Sequence, residues 1–172
     1  MKLDLTEIAL NLGKKHKYII DEPALGELSI EVSNNVPISG EVVFSNTGSV
    51  IYVKGFIKTE IDILCSRCLD TYKQLVDKHV EEVLPIAKAH IDKSFDDENY
   101  LEDLDEPLFV DNIFDLSEML RQYLLLEVPY KPLCKENCKG LCDSCGANLN
   151  YDSCSCSEKE VNNPFSKLSE LL

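Results

Sequence analysis

Six of the eight cysteines of this chain fall between Cys134 and Cys156, namely Cys134, Cys138, Cys142, Cys145, Cys154 and Cys156, and the remaining two, Cys65 and Cys68, form a close pair far upstream. Cys142-x2-Cys145 followed by Gly146, then a short loop to Cys154-x-Cys156, has the spacing of a zinc ribbon, in which each close pair supplies half a tetrahedron of thiolates. Soft sulfur ligands at about 2.3 Å suit Zn²⁺. Gly146 fits the sharp turn that follows a metal-bound pair.

Eight cysteines make two complete sets of four, and Cys65-x2-Cys68 alone is half a site. Two partitions are open. Cys134, Cys138, Cys142 and Cys145 could close one site, leaving Cys154 and Cys156 to reach Cys65 and Cys68. Alternatively Cys134 and Cys138 complete the upstream pair (site 1: Cys65, Cys68, Cys134, Cys138) and the last four form the ribbon (site 2: Cys142, Cys145, Cys154, Cys156). The second is the partition adopted here, with two structural zinc ions expected. On either partition a metal would pin the C-terminal segment to the body of the protein.

Other uses of cysteine fit less well. The opening Met1-Lys2-Leu3-Asp4-Leu5-Thr6-Glu7 has no apolar signal core, so a reduced, cytoplasmic protein is expected rather than a disulfide scaffold. An iron–sulfur cluster uses the same thiolates and is the lesser alternative. A redox role for Cys65-Ser66-Arg67-Cys68 would need a helix start in a βαβ setting, whereas the neighbourhood reads as strands. His79 and His90 could ligate in principle, but the cysteines already complete both tetrahedra.

These ligands must be positioned by a body of modest size. The 172 residues allow one domain with a core and a small appended module, and 44% hydrophobic content is that of a globular chain. No apolar run approaches the ~20 residues needed to span a bilayer. A net charge of −14 works against generic phosphate binding and favours a basic partner.

Leu28, Ile30 and Val32 alternate with polar residues as one strand, and residues 40–45 read as a second. Asn46-Thr47-Gly48 carries turn chemistry before a third. In that third strand Ile51, Val53, Ile57, Ile61 and Ile63 occupy odd positions, with Gly55 marking a bend, and the strand delivers Cys65 to its end. Residues 70–84 fit either a helix or a returning strand. The strand is preferred, because Cys65-x2-Cys68 then becomes a hairpin turn.

From Asp92 an acidic run begins, which like-charge repulsion should keep solvated. It would also serve as a surface for a basic partner. Asp115 with Glu118 resembles a capping box, and Leu116, Met119, Leu120, Tyr123 and Leu124 repeat at helical spacing, with Leu125 and Leu126 widening the apolar face. Lys131, Lys135 and Lys139, with Arg67, are the cations considered for contact with RNA phosphate or a partner.

The expected organisation is a β-rich body (1–90), an acidic linker (91–112), an amphipathic helix packing on the body (113–128), and a cysteine-rich zinc module with a short C-terminal helix (129–172). The fold class is α+β: a mostly antiparallel sheet, barrel- or sandwich-like, backed by one helix, with a C-terminal zinc-ribbon-like module.

Taken together, Cys65-Ser66-Arg67-Cys68-Leu69, the run from Cys134 to Asn150 reading Cys-Lys-Glu-Asn-Cys-Lys-Gly-Leu-Cys-Asp-Ser-Cys-Gly-Ala-Asn-Leu-Asn, Cys154-Ser155-Cys156, and Asn163-Pro164-Phe165 with Leu168 resemble the YceD family, the bacterial large ribosomal RNA subunit accumulation proteins. The resemblance implies a ribosome-biogenesis factor needed for accumulation of large-subunit (23S) rRNA, with no established enzymatic activity. All-cysteine sites are closed to substrate, and no nucleophile stands beside a base in the sequence. The expectation is therefore a cytoplasmic, zinc-stabilised acidic adaptor for a basic ribosomal protein or assembly factor, with large-subunit rRNA as a further partner and neither membrane nor small-molecule substrate. The competing classes are a thiol oxidoreductase or nuclease acting in rRNA maturation, and a zinc-ribbon interaction protein in transcription.

Overall fold

A computed structural model describes residues 1–86 and 109–156. The chain runs β1 (Lys2–Asp4), α1 (Thr6–Ala9), β2 (Lys15–Glu22), β3 (Gly26–Ser29), β4 (Val32–Asn34), β5 (Ile38–Asn46), β6 (Val50–Leu64), β7 (Thr71–Pro85), β8 (Phe109–Val110), β9 (Ile113–Asp115) and α2 (Leu116–Leu126). It separates into two compact units: Met1–Ile63 with Tyr72–Tyr130, and Leu64–Thr71 with the residues from Lys131 on. Mostly antiparallel sheet with few helices makes the chain α+β.

β6 is the spine of the first unit. Its odd-numbered Ile51, Val53, Ile57, Ile61 and Ile63 are fully buried, as a strand with one apolar face requires. It pairs with β5, β4 and β7 within a six-stranded sheet. Gly55 and Gly40 mark where β5 and β6 press backbone on backbone: a Cβ at Gly55 would lie 1.9 Å from the Glu41 carbonyl oxygen, and one at Gly40 2.1 Å from that of Phe56. A second, three-stranded sheet runs β1-β9-β8, and Phe44 of β5 meets Phe114 of β9 edge to face at 5.5 Å.

Residues 70–84 are the returning strand β7, so the Cys65–Cys68 stretch is the turn of a long hairpin. The expected strand across Leu28, Ile30 and Val32 is instead a hairpin of β3 and β4, with Ile30 fully exposed at its tip and the Glu31 N–H donating to Ser29 Oγ. Short-range alternation continued through a turn that the register shift between Glu27 and Ser29 makes possible. Residues 113–115 are β9 rather than helix, and α2 begins after Asp115, whose Oδ1 accepts the Glu118 N–H at 3.1 Å. Glu118 does not complete the capping box, because its carboxylate holds Arg121 and Gln122. Leu126 is exposed, so the buried stripe of α2 is Leu116, Met119, Leu120 and Leu124.

Residues 91–108 of the expected acidic linker and the expected C-terminal helix lie outside the described residues, as does His90. Residues 109–112 hold β8 and a tight turn, in which Asp111 and Asn112 both have positive φ, 51° and 63°. Among the described residues no helix is long and apolar enough to cross a membrane.

Two buried asparagines tie strands to loops. Asn34 accepts the Leu25 N–H on Oδ1 and donates to Thr59 Oγ1 and the Glu60 carbonyl. Asn46 donates to the carbonyls of Ile8 and Ala9 and accepts the Gly48 N–H. Among the described residues no buried side-chain nitrogen or oxygen lacks a partner. Removing such a group leaves several part-buried partners unpaired at once. Asn34→Ala should therefore lower stability by about 2–3 kcal/mol, read from the urea midpoint at unchanged m-value.

Candidate metal centres

The second unit is built from two turns of the same construction. In the first, the Cys65 N–H donates to the Asp70 carbonyl at 2.9 Å and the Leu69 N–H to the Cys65 carbonyl at 3.0 Å. In the second, the Cys142 N–H donates to the Ala147 carbonyl at 2.8 Å and the Gly146 N–H to the Cys142 carbonyl at 2.8 Å. Each turn thus folds its Cys-x2-Cys pair so that both sulfurs share one side. The residue after the second cysteine must take a positive φ, 72° at Gly146 and 58° at Leu69. Gly146 adopts it freely, whereas Leu69 carries a Cβ against it and leaves its side chain 57% exposed.

Each turn is completed by a second pair. Cys65, Cys68, Cys134 and Cys138 bring their sulfurs within 4.8 Å of one another, and so do Cys142, Cys145, Cys154 and Cys156. This is the second of the two partitions open to the sequence. Sγ of Cys65 and Cys138 stand 3.8 Å apart, and those of Cys68 and Cys134 3.6 Å. Sulfurs about 2.3 Å from a shared centre occupy tetrahedral corners about 3.8 Å apart, and these two separations match such an edge. All eight thiols are free of disulfides.

The first set is the drier one. Cys65, Cys68 and Cys138 are buried, and Cys134 is half-buried. In the second set Cys145 is exposed and the other three are half-buried. The Cys134–Cys138 segment is held to the first turn by bonds from the Ser66 N–H and hydroxyl to the Pro132 carbonyl, and from Arg67 Nη1 to the Cys138 carbonyl at 2.8 Å. Arg67 is thus committed in part to holding the site, while Lys131, Lys135 and Lys139 are exposed on the same unit. His79 is exposed on β7.

Four converging sulfurs cannot all ionise without a cation, and the thiols divide accordingly. Burial pushes Cys65 up, but N–H groups of Cys134, Cys68 and Arg67 directed at its sulfur outweigh this and bring it to about 6. Burial also raises Cys138, and the Asn150 amide and the Gly140 N–H outweigh it, so the net shift is downward. Burial and the neighbouring thiols drive Cys68 and Cys134 upward. In the second set the N–H groups of Cys145 and Ser144 lower Cys142 to about 7. The Cys145 thiol, then burial, push Cys156 up to about 12. Cys154 is lowered by the Cys156 N–H but raised overall by Cys142, burial and Cys145.

The sequence reading gave no role to Asn148, Asn150 and Asp70. Asn148 Nδ2 donates to Asp70 Oδ2 at 2.9 Å, and Asn150 Nδ2 lies 3.4 Å from Cys138 Sγ. The signal was present: two asparagines inside a short metal-ribbon spacer, where a solvated loop has no need of them.

The family model described as Large ribosomal RNA subunit accumulation protein YceD matches residues 53–172, which take in both cysteine sets. A large ribosomal RNA subunit accumulation protein YCED homolog 1, chloroplastic, of Zea mays is 44% identical over 52 residues, which are 30% of this chain and 18% of that protein. Its Arabidopsis thaliana counterpart is 37% identical over 57 residues, 33% of this chain and 18% of that protein. An uncharacterized protein of Mycobacterium tuberculosis is 26% identical over 133 residues, 76% of this chain and 54% of that protein. The chain thus covers less than a fifth of the plant relatives' length and about half of the mycobacterial one's. No solved structure matches.

The paired turns generate a paired test. Leu69→Gly should stabilise the protein by about 1 kcal/mol, by relieving a left-handed residue that buries little. Gly146→Ala should cost a similar amount, and urea denaturation of both variants beside the parent reads the two signs.

Proposed function

The chain belongs to the YceD family of large ribosomal RNA subunit accumulation proteins, and on that premise we propose that it is a non-enzymatic ribosome-biogenesis factor whose second unit is built around two structural zinc ions. The observation that carries the function is the family match, which takes in both cysteine sets. Support for zinc comes from the donor set itself: two groups of four converging sulfurs, the first with two separations near a tetrahedral edge, and backbone N–H groups already turned toward them. Cys65, Cys68, Cys134 and Cys138 would hold one ion, and Cys142, Cys145, Cys154 and Cys156 the other. The first would draw together segments distant in sequence, and neither would leave a coordination position for a substrate.

A thiol enzyme is the reading this geometry favours least. Cys65 is held well below the ordinary thiol value, but it is fully buried and faces Cys138. A reactive thiolate needs access to its substrate. The role proposed instead is that of a cytoplasmic adaptor. A chain of net charge −14 offers complementarity to a basic ribosomal protein or assembly factor, while rRNA phosphate could be met only locally, at Lys131, Lys135, Lys139 and Arg67.

Two measurements test the reading. Affinity-tagged protein taken from cells at low salt should retain a ribosomal protein, an assembly factor or large-subunit rRNA, and should release a basic protein partner as salt approaches about 0.5 M, because exposed complementary charge is screened. Recovery of none of the three at low salt sinks the adaptor.

Zinc is tested by its protons. Cys68 and Cys134 in one set, and Cys154 and Cys156 in the other, are raised above the ordinary thiol value, so all four are protonated at pH 7 and must lose their protons to ligate. Loading at pH 7 should release at least two protons per ion, measured by calorimetry in buffers of different ionisation enthalpy. Because protons compete with the metal, affinity must fall as pH falls. Release of less than one proton per ion would count against thiolate ligation.

A further inference from the structure

The spacer of the second cysteine set does not merely close its own loop. Between Cys145 and Cys154 the chain places Asn148 and Asn150, and both reach the first set. Asn150 Nδ2 lies 3.4 Å from Cys138 Sγ, while its Oδ1 accepts the Lys139 N–H at 3.0 Å, one residue beyond that ligand. Asn148 Nδ2 donates to Asp70 Oδ2 at 2.9 Å, and Asp70 is the residue whose carbonyl closes the Cys65 turn. The two asparagines are locked to each other, with Asn148 Oδ1 accepting both the backbone N–H and the side-chain N–H of Asn150 at 3.1 and 2.9 Å. Backbone continues the link: the Leu141 N–H, immediately before Cys142, donates to the Arg67 carbonyl inside the Cys65–Cys68 turn, and the Leu149 N–H to the Gly140 carbonyl.

We infer that the two cysteine sets are energetically coupled, with Asn150 as a positioning residue for the first site supplied from the loop that the second site closes. The argument rests on the metal reading given above. An N–H aimed at a ligating sulfur fixes the rotamer of that ligand and withdraws charge from it, and such outer partners are worth roughly 10- to 100-fold in metal affinity. Asn150 can hold that position only while residues 146–153 are ordered. Their ends are Cys145 and Cys154, so an ion bound by the second set ties both down. Filling the more exposed second site therefore prepares the buried first one, and by linkage a filled first site favours the second by the same factor.

The experiment is titration of the metal-free, reduced full chain with Co²⁺, whose thiolate charge-transfer and d–d absorption report sulfur ligation. Cys142→Ser isolates the first site and Cys65→Ser the second. Coupling predicts that the first site binds Co²⁺ about tenfold more weakly in Cys142→Ser than in the parent. Asn150→Ala, with all eight cysteines intact, should still bind two ions. Its first site should be weakened about tenfold, and its sulfur-to-cobalt band moved to lower energy, because the freed thiolate is a better electron donor. Asn150→Asp keeps the acceptor for Lys139 but loses both amide donations, to Cys138 Sγ and to Asn148 Oδ1, and sets a carboxylate beside the sulfur, so its first site should be weakened at least as much and its band moved the same way.

If Cys142→Ser fails to fold, the two Asn150 variants decide the matter alone. Two bound ions in the parent, with first-site affinity and band energy unchanged in every variant, overturn the coupling and leave the metal reading standing. A parent that binds no cobalt overturns both.

Discussion

Four sulfurs drawn within 4.8 Å of one another form an arrangement that a polypeptide cannot keep fully charged unaided. The molecule answers this constraint with backbone. In both Cys-x2-Cys turns the chain reverses so that N–H groups point back at the first cysteine, and that cysteine is the one held below its ordinary pKa, about 6 at Cys65 and about 7 at Cys142. Cys68 and Cys134 in one set, and Cys154 and Cys156 in the other, sit above it, because burial and the neighbouring thiols outweigh the support they receive. Local hydrogen bonding thus prepares only part of each set for a cation, and the cation must supply the rest. Local geometry and metal chemistry divide the work at the level of single thiols.

Chain order accounts for where one of those turns falls. Cys65 follows β6 directly and Cys68 shortly precedes β7, so two fifteen-residue strands fix where the turn begins and ends. β6 takes that regularity from an apolar face interrupted only at Gly55 and Thr59 and from contact on both edges, with β5 and β4 on its path and β7 beside it. At Gly55 the backbone of β5 comes too close for any side chain. A ligand pair placed at the end of such strands needs little further ordering to meet a metal. The second turn has no strands behind it and leans instead on the Leu141–Arg67 bond and the asparagine pair.

Period and spacing carried the reading furthest where one rule governed a whole segment. The odd-position apolar run of β6 and the stripe of α2 were legible, because each is a repeat that one geometry satisfies, whereas the eight cysteines fell into two fours with two partitions open. Legibility failed where two rules overlapped. Leu28, Ile30 and Val32 alternate as a strand, yet Ser29 turns the chain by accepting the Glu31 N–H, and the alternation survives across a hairpin tip. Residues 113–115 continue the helical stripe but are claimed by β1, whose register sets Phe114 against Leu3. The N-terminal strands were passed over, although Tyr18 and Ile20 alternate with exposed neighbours in β2. Asn148 and Asn150 were given no role for a different reason: a hydrogen bond to a sulfur has no sequence period.

Charge gives the last step. The formal net charge of −14 treats every cysteine as neutral, but a divalent ion held by four thiolates leaves about two negative charges behind at each set. On the proposed reading, metal loading makes an already acidic chain more so, and it does this in the unit that also carries Arg67, Lys131, Lys135 and Lys139. Arg67 spends a donor on the Cys138 carbonyl, where its charge offsets the buried first set. The three exposed lysines then stand on a background that repels phosphate as it comes within about a Debye length and favours it only at contact. A polyanion could be held there by a few short-range bonds, but it could not be steered there. A basic protein would be both steered and held. That asymmetry is why the adaptor reading puts protein ahead of RNA as the first partner to arrive.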